Sequence, residues 1–283
     1  MRAALFSVPG ALWRSSHPGP TLVVTVLAVI LGISAGLDAG RLALLAAAVF
    51  AGQLCVGWSN DAVDARRDTA VGRADKPIAR GEISARGVWA AAVVAVVVTL
   101  VLSALLGWPF LVVHLITLVS AWSYNVALKR TAFSVAPFVV SFGLFPSLAT
   151  LAAPAPGFAA PWAWIAGAAL GAAVHFSNVL PDLDDDAATG VRGLPHRLGS
   201  AASAVTAFVA VEVGALAVLI GPIVVAGSVP PLGIVAFGLV SVLAAVGLAR
   251  ALRRPDRTVF RLVMGAALLL ALQLAVTGVS VQS

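Results

Sequence analysis

Charge is what this sequence has least of: Asp, Glu, Lys and Arg together make up 11% of its 283 residues, where a globular domain carries about a quarter. Cysteine is nearly missing too. The one present, Cys55, lies inside an apolar run, which excludes a disulfide framework and a Cys-based metal site. Repeats at a solenoid period and low-complexity linkers are absent, so 1–283 reads as a single domain. A cleavable leader is not indicated either. Residues 1–20 start basic, but their apolar run is short, is broken by Pro9 and Gly10, and lacks an A-x-A site; they read as an interfacial lead-in.

What the sequence does have is apolar length. Hydrophobic residues make up 60% of the chain and the mean hydropathy is +1.02, values of a polytopic membrane protein. Windows of about 20 apolar residues, enough to cross ~30 Å of hydrocarbon, predict nine helices, at 21–37, 42–60, 85–106, 109–127, 134–153, 162–181, 200–221, 230–252 and 258–280. The runs lack the alternation of barrel strands, and a bilayer leaves no water for unpaired backbone groups, so the expected fold is an all-α membrane bundle.

The positive charges orient it. Of 18 Lys and Arg residues, all but Arg41 fall on one side of these spans, which the positive-inside rule makes cytoplasmic. The N-terminus then lies inside and, with an odd number of spans, the C-terminus outside. Trp108, Trp162 and Trp164 are placed near the outer interface. The net charge of +6 does not indicate nucleic acid, because the cations are spread over loops as orientation requires. Nothing marks an obligate protein partner; the surrounding partner is membrane lipid.

The acids are distributed differently. Asp61, Asp64 and Asp68 follow the second window, and Asp182, Asp184, Asp185 and Asp186 follow the sixth, together seven of the twelve acidic residues. Asn60, Asp64 and Asp68 are spaced i, i+4, i+8, as are Asn178, Asp182 and Asp186, so continued helices would present two matching stripes. Pro181 is expected to kink the second. Carboxylates this close repel unless a cation or proton neutralises them. Oxygen ligands without His or Cys suit a hard ion such as Mg²⁺, which keeps waters and phosphates in its shell. The pattern reads as a clamp for a diphosphate, with Arg73, Lys76 and Arg80 of the segment "GRADKPIARGEIS" within reach of phosphate oxygens.

The segment "NDAVDARRD" (Asn60–Asp68) resembles the NDxxDxxxD motif of the UbiA superfamily of intramembrane prenyltransferases. "RADKPIARGEIS" resembles that family's basic loop, "DLDDD" (Asp182–Asp186) its DxxxD motif, "TGVRGLPHRLG" the segment that trails it, and "SYNVALKR" (Ser123–Arg130) its Tyr and Lys-Arg stretch. The order and spacing hold over essentially the whole chain. Lys76 stands where the family often has Arg, Ala79-Arg80 replaces small or polar residues before the loop Gly, and Asn178 occupies a position often acidic.

The resemblance implies a nine-helix bundle around a central cavity, with Mg²⁺ as cofactor. Asn60, Asp61, Asp64 and Asp68 would form one metal site and Asp182 and Asp186 the other. Arg73, Lys76 and Lys129, with Asn60 and Asn178, would meet the diphosphate, and Tyr124 would line the cavity beside Asp64, Asp68, Asp182 and Asp186. The implied reaction is ionisation of an isoprenyl diphosphate to an allylic cation, captured by a small hydrophobic acceptor, aromatic or lipid-like. Trp58, Trp122, Tyr124, Phe138, Phe142, Phe145 and Phe176 are candidates for a dry lining, and His114 and His175 for acceptor bases. Cyclisation of the diphosphate without an acceptor is the nearer alternative, and a transporter with an intramembrane acid path the more distant.

Overall fold

The computed structural model describes residues 7–277 and 281. Their regular structure is helical, with no strand among the described residues. In chain order the helices are α1 (Val8–Ser15), α2 (Pro18–Ser34), α3 (Ala39–Ala70), α4 (Ala85–Leu106), α5 (Trp108–Val126), α6 (Ala136–Leu151), α7 (Pro161–Val179), α8 (Leu183–Ala188), α9 (Leu194–Leu198), α10 (Ser200–Ala226), α11 (Pro231–Arg253) and α12 (Arg257–Thr277). The predicted windows coincide with α2 to α7 and α10 to α12, although positions 278–280 of the last lie outside the described residues.

The expected count of nine spans is not reached on length. Among the described residues seven helices are long and apolar enough to cross a membrane, or eight if α1 and α2, bent by 68° at Ser16–His17, form one span. Helix α6 has only 16 residues, short of the ~20 a straight crossing needs. The protein is an integral membrane protein. The lead-in expected at the N-terminus is the short helix α1, capped by the Ser7 hydroxyl, which accepts from the Gly10 N–H.

Helices α2, α3, α5, α6, α7 and α12 surround a central cavity, with α12 packed back against α2, while α4 covers α3 and α5, and α11 covers α10 and α12. The "AGAALGAA" stretch, which by sequence alone fits contacts within or between chains, packs within this one. A Cβ on Gly167 would stand 2.1 Å from the Phe142 carbonyl oxygen, and one on Gly171 would stand 2.4 Å from that of Phe138. Only glycine lets α7 approach α6 so closely. Gly57 does the same for the α1–α2 hinge, whose Ser16 carbonyl oxygen would lie 2.4 Å from a Cβ there.

Helix α3 positions the site. Its 32 residues extend ~48 Å at 1.5 Å per residue, well beyond a ~30 Å hydrocarbon core. Its N-terminal end is fixed by Asp38, whose side chain accepts from the Arg41 N–H. The far end therefore overruns the core, and that overrun carries the first acidic motif.

Candidate active site

On α3, Asn60, Asp64 and Asp68 share a stripe as their spacing predicts. Asp61, Asp64 and Asp68 are only 2, 5 and 3% exposed, and carboxylates this buried require partners. Asp64 has two cations: Lys129 Nζ lies 2.5 Å from Oδ1 and Arg67 Nη2 3.2 Å from Oδ2. Asp68 accepts from the same Arg67 nitrogen at 3.4 Å. Asp61 turns elsewhere, its Oδ1 taken by Lys76 Nζ at 2.5 Å and His17 Nε2 at 2.9 Å. Asn60 donates to Asn125 Oδ1 at 3.2 Å, and Asn125 donates to the Val56 carbonyl and Ser59 hydroxyl, each at 3.0 Å, tying α5 to α3.

Lys129 follows α5 in a 3₁₀ turn, Leu128–Arg130, and is itself buried. Burial pushes its ammonium below the ordinary lysine value, while Asp64 opposes the shift. A Cβ on Gly193 would stand 2.8 Å from both the Lys129 carbonyl oxygen and the Ser134 hydroxyl, so the "VRGLP" segment presses directly on this turn. The Ser134 hydroxyl accepts from the Leu194 N–H at 2.8 Å and pairs with His175 Nε2 at 3.1 Å. His175 thus locks α7 to the Lys129 turn, and it does not line the cavity.

The basic loop folds back on the mouth. Arg73 grips Asp75 with two bonds of 2.9 and 3.0 Å, which hold the Asp75 carboxyl down at about 2 and push the guanidinium further up. Arg80 and Arg14 both meet the buried Glu82, joining the loop to α1. Of the loop cations expected at a diphosphate, Lys76 reaches the first motif, through Asp61, whereas Arg73 and Arg80 are occupied within the loop and α1.

The second motif is less regular than its spacing suggests. Helix α7 ends at Val179, residues Leu180–Asp182 form a 3₁₀ turn, and α8 begins at Leu183. Pro181 has no N–H to continue the ladder, so Asn178, Asp182 and Asp186 do not form one straight stripe. Asp186 lies 3.9 Å from Arg67 Nη1 and 4.0 Å from His196 Nε2. Asp182 lies 4.0 Å from Arg257 Nη2, which is also 3.9 Å from Asp75. Asp184 and Asp185 are exposed.

A cavity of about 310 Å³ reaches Asn60 and Asn178 at the start of the two motifs, although none of the motif carboxylates lines it. Asn60, Asn125, Asn178, His17 and Tyr124 line its polar end, and Leu27, Leu31, Phe142, Phe145, Leu270 and Leu274 are among the apolar walls. Four of the seven candidate aromatics line it: Tyr124, Phe138, Phe142 and Phe145. Trp58 instead donates to the Leu12 carbonyl at 2.8 Å, Trp122 packs against Trp89 and Phe176 belongs to the core. Trp162, expected at the outer interface, is buried and lines the cavity, whereas Trp108 is 72% exposed. His114 also lines it, with Nδ1 paired to the Ser103 hydroxyl at 2.8 Å. A Cβ on Gly52 would meet His114 Nε2 at 2.9 Å.

Sequence reasoning missed His17, Arg67, Asn125 and Arg257. The signals for the first three were weak: a His before the Pro that opens α2, an Arg read as an orientation charge, and an Asn beside Tyr124. Arg257, from the α11–α12 junction, had no local signal.

Among the described residues no three His, Cys, Asp or Glu side chains stand close enough together to hold a metal as they are. Their chemistry nonetheless fits a hard divalent ion. The ligands available are oxygens only, and one guanidinium already has Asp64, Asp68 and Asp186 around it, at 3.2, 3.4 and 3.9 Å, showing that both motifs converge on one cation.

An integral membrane bundle whose apolar cavity reaches the start of two motifs with converging carboxylates and cations is built to hold an amphiphile by its charged head. The family model for the UbiA prenyltransferase family matches residues 6–277, and the chain belongs to that family. The fold is similar to that of a UbiA homologue from Aeropyrum pernix K1 (TM-score 0.76, 18% identity, covering 92% of this chain and 98% of that one). It is also similar to a UbiA homologue from Archaeoglobus fulgidus bound to GPP and Mg²⁺ (TM-score 0.71, 14% identity, 96% and 100%). A third likeness is to a digeranylgeranylglyceryl phosphate synthase (TM-score 0.68, 15% identity, 95% and 98%). No match was found among curated proteins.

Proposed function

We propose that this chain is a Mg²⁺-dependent prenyltransferase of a single domain, moving a prenyl group from an isoprenyl diphosphate to a small hydrophobic acceptor. The observation that carries it is the approach of cavity to charge: a largely apolar cavity lined by Asn60 and Asn178, the first residues of the two stripes whose Asp64, Asp68 and Asp186 are paired with Arg67 and Lys129. The relative from Archaeoglobus fulgidus, bound to GPP and Mg²⁺, supports the same ligand class here.

In this reading the prenyl chain lies among Phe142, Phe145 and Leu270, and the diphosphate meets Asn60, Asn178, Lys129, Lys76 and Arg73. Asp64, Asp68, Asp182 and Asp186 would hold the metal, with Asp61 steadying Lys76 beside them. Bound Mg²⁺ supplies charge stabilisation for the departing diphosphate. Tyr124 and Phe138, 5.0 Å apart edge to face, both line the cavity, and aromatic faces there would favour an allylic cation. The cavity walls exclude water that would quench that cation. The charged mouth is assigned to the cytoplasm by the positive-inside rule, with the N-terminus on the same side and the C-terminus outside.

The test is turnover of geranyl diphosphate by the purified protein in lipid nanodiscs. Consumption should require Mg²⁺ or Mn²⁺ and cease with EDTA, and prenylated products should appear only when an acceptor is added. Full activity in chelator would overturn the metal clamp, and cyclic hydrocarbon products without acceptor would establish the cyclase alternative.

A further inference from the structure

Among the described residues, Arg67 is the one side chain ion-paired with carboxylates of both acidic motifs. Its Nη2 lies 3.2 Å from Asp64 and 3.4 Å from Asp68, and its Nη1 lies 3.9 Å from Asp186. The contact spans elements far apart in sequence, the end of α3 and the short helix α8. The guanidinium is not on the surface: its side chain is 21% exposed, against 6, 4 and 21% for the three carboxylates. A group so placed occupies the space a shared metal would need.

We propose that Arg67 is a placeholder that neutralises the two motifs until the metal diphosphate arrives, and then transfers its guanidinium to the diphosphate oxygens. Resting on the prenyltransferase reading, this adds a residue and an order of events to it. The charges support the exchange. Asp64, Asp68 and Asp186 face two cations, Arg67 and Lys129, leaving a net charge of −1. When Arg67 withdraws, the same carboxylates and Lys129 carry −2, and Asp182 adds a further negative charge, so the withdrawal deepens the attraction for a divalent ion by one full charge. The planar fork that now spans carboxylates suits phosphate oxygens equally well, so the side chain need not become unpaired at any stage. No covalent bond changes in this step.

A placeholder has a signature that a structural residue lacks: it competes with the metal and assists the diphosphate. Arg67→Met should therefore shift the two affinities in opposite directions. Free Mn²⁺ measured by electron paramagnetic resonance would report metal binding to the full-length protein in nanodiscs, and inorganic diphosphate at saturating Mn²⁺ would report the anion. The variant is expected to bind Mn²⁺ alone about 5- to 10-fold more tightly and diphosphate about 10-fold more weakly, the latter being the scale of one charge-assisted bond. Arg67→Lys keeps the charge with a single point of contact and should fall between variant and parent. Mn²⁺ affinity that is unchanged or weaker in both variants would overturn the proposal, as would undiminished diphosphate binding. If the parent itself binds no Mn²⁺ even with diphosphate, the prenyltransferase reading fails first. If the parent binds both and only the opposite shifts are missing, Arg67 alone is reassigned to holding α3 and α8 together.

Discussion

The two acidic motifs resemble each other in sequence and differ in construction. The first lies on an unbroken helix, with Asp64 and Asp68 buried and each in contact with a named cation. The second follows a helix that stops at Val179, passes through a 3₁₀ turn at Pro181, and leaves Asp182 34% exposed with its nearest cation 4.0 Å away. Identical residue types at identical spacing therefore give a rigid, compensated half and a looser half. Buried charge is stable only when fully partnered, so the first motif is bound into the fold by close ion pairs, whereas the second is held only at longer range, Asp182 by Arg257 and Asp186 by Arg67 and His196.

The largest effects should come from removing one carboxylate in each half. Asp64→Asn and Asp182→Asn should each lower turnover by on the order of 100-fold or more, the size of an electrostatic contribution to a transition state, while the exposed Asp184→Asn should do much less. The halves should separate in thermal unfolding. Asp64→Asn also strands the buried Lys129 and should lower the melting temperature, whereas Asp182→Asn should leave it near the parent's. Equal melting shifts would erase the distinction between a compensated and a loosely held motif.

The next effect isolates the partner. Lys129→Met keeps the apolar stem in its buried turn and removes one of the two cations on Asp64. Stranding a buried charge altogether costs about 3–5 kcal/mol; with Arg67 still in place, a loss of ~2 kcal/mol in chemical denaturation is expected. A variant as stable as the parent would mean that Asp64 does not need its lysine, and the first half would be no more rigidly built than the second.

Much of this was legible in the sequence, and the remainder failed for identifiable reasons. Helix positions followed from apolar length, because a bilayer permits little else, and the Asn60–Asp64–Asp68 stripe followed from period alone since nothing interrupts α3. The number of spans did not follow: the window at 134–153 holds a helix of only 16 residues, and a 68° bend falls just before the window at 21–37, where the lead-in was expected. The second stripe failed at Pro181, which the sequence did flag. Ion-pair partners were least legible. Arg67 and Arg257 look like orientation charges until the fold brings α8 to one and Asp75 and Asp182 to the other. Aromatic lining was half right, since composition does not tell which face of a helix meets the cavity.

A smaller effect tests how the loop serves the first half. Lys76 sits on Asp61, and Lys76→Gln should weaken diphosphate binding by ~1–3 kcal/mol, the scale of a charge-assisted hydrogen bond. An uncharged prenyl alcohol should bind the variant about as well as it binds the parent. Equal losses for both ligands would mean that Lys76 shapes the loop and meets no phosphate.

The smallest effect concerns Arg73, whose fork is taken by Asp75. Because Arg73 holds the Asp75 carboxyl down from the ordinary 3.8 to about 2, the pair's contribution to loop order is complete above pH ~4 and is lost as pH falls from there towards 2. Proteolytic nicking at residues 71–84 should accordingly be unchanged between pH 8 and 5. Between those limits the pair competes with any phosphate for the same guanidinium. Asp75→Asn removes the competitor at the expense of an exposed ion pair, 51% exposed on the aspartate side, whose intrinsic worth is at most about 1 kcal/mol. The expected result is diphosphate binding strengthened by up to about fivefold, with no change for the prenyl alcohol. Weakened diphosphate binding would show that the Arg73–Asp75 pair builds the loop that Lys76 depends on, and Arg73 would then belong with the scaffold of the first motif rather than with the groups that meet the ligand.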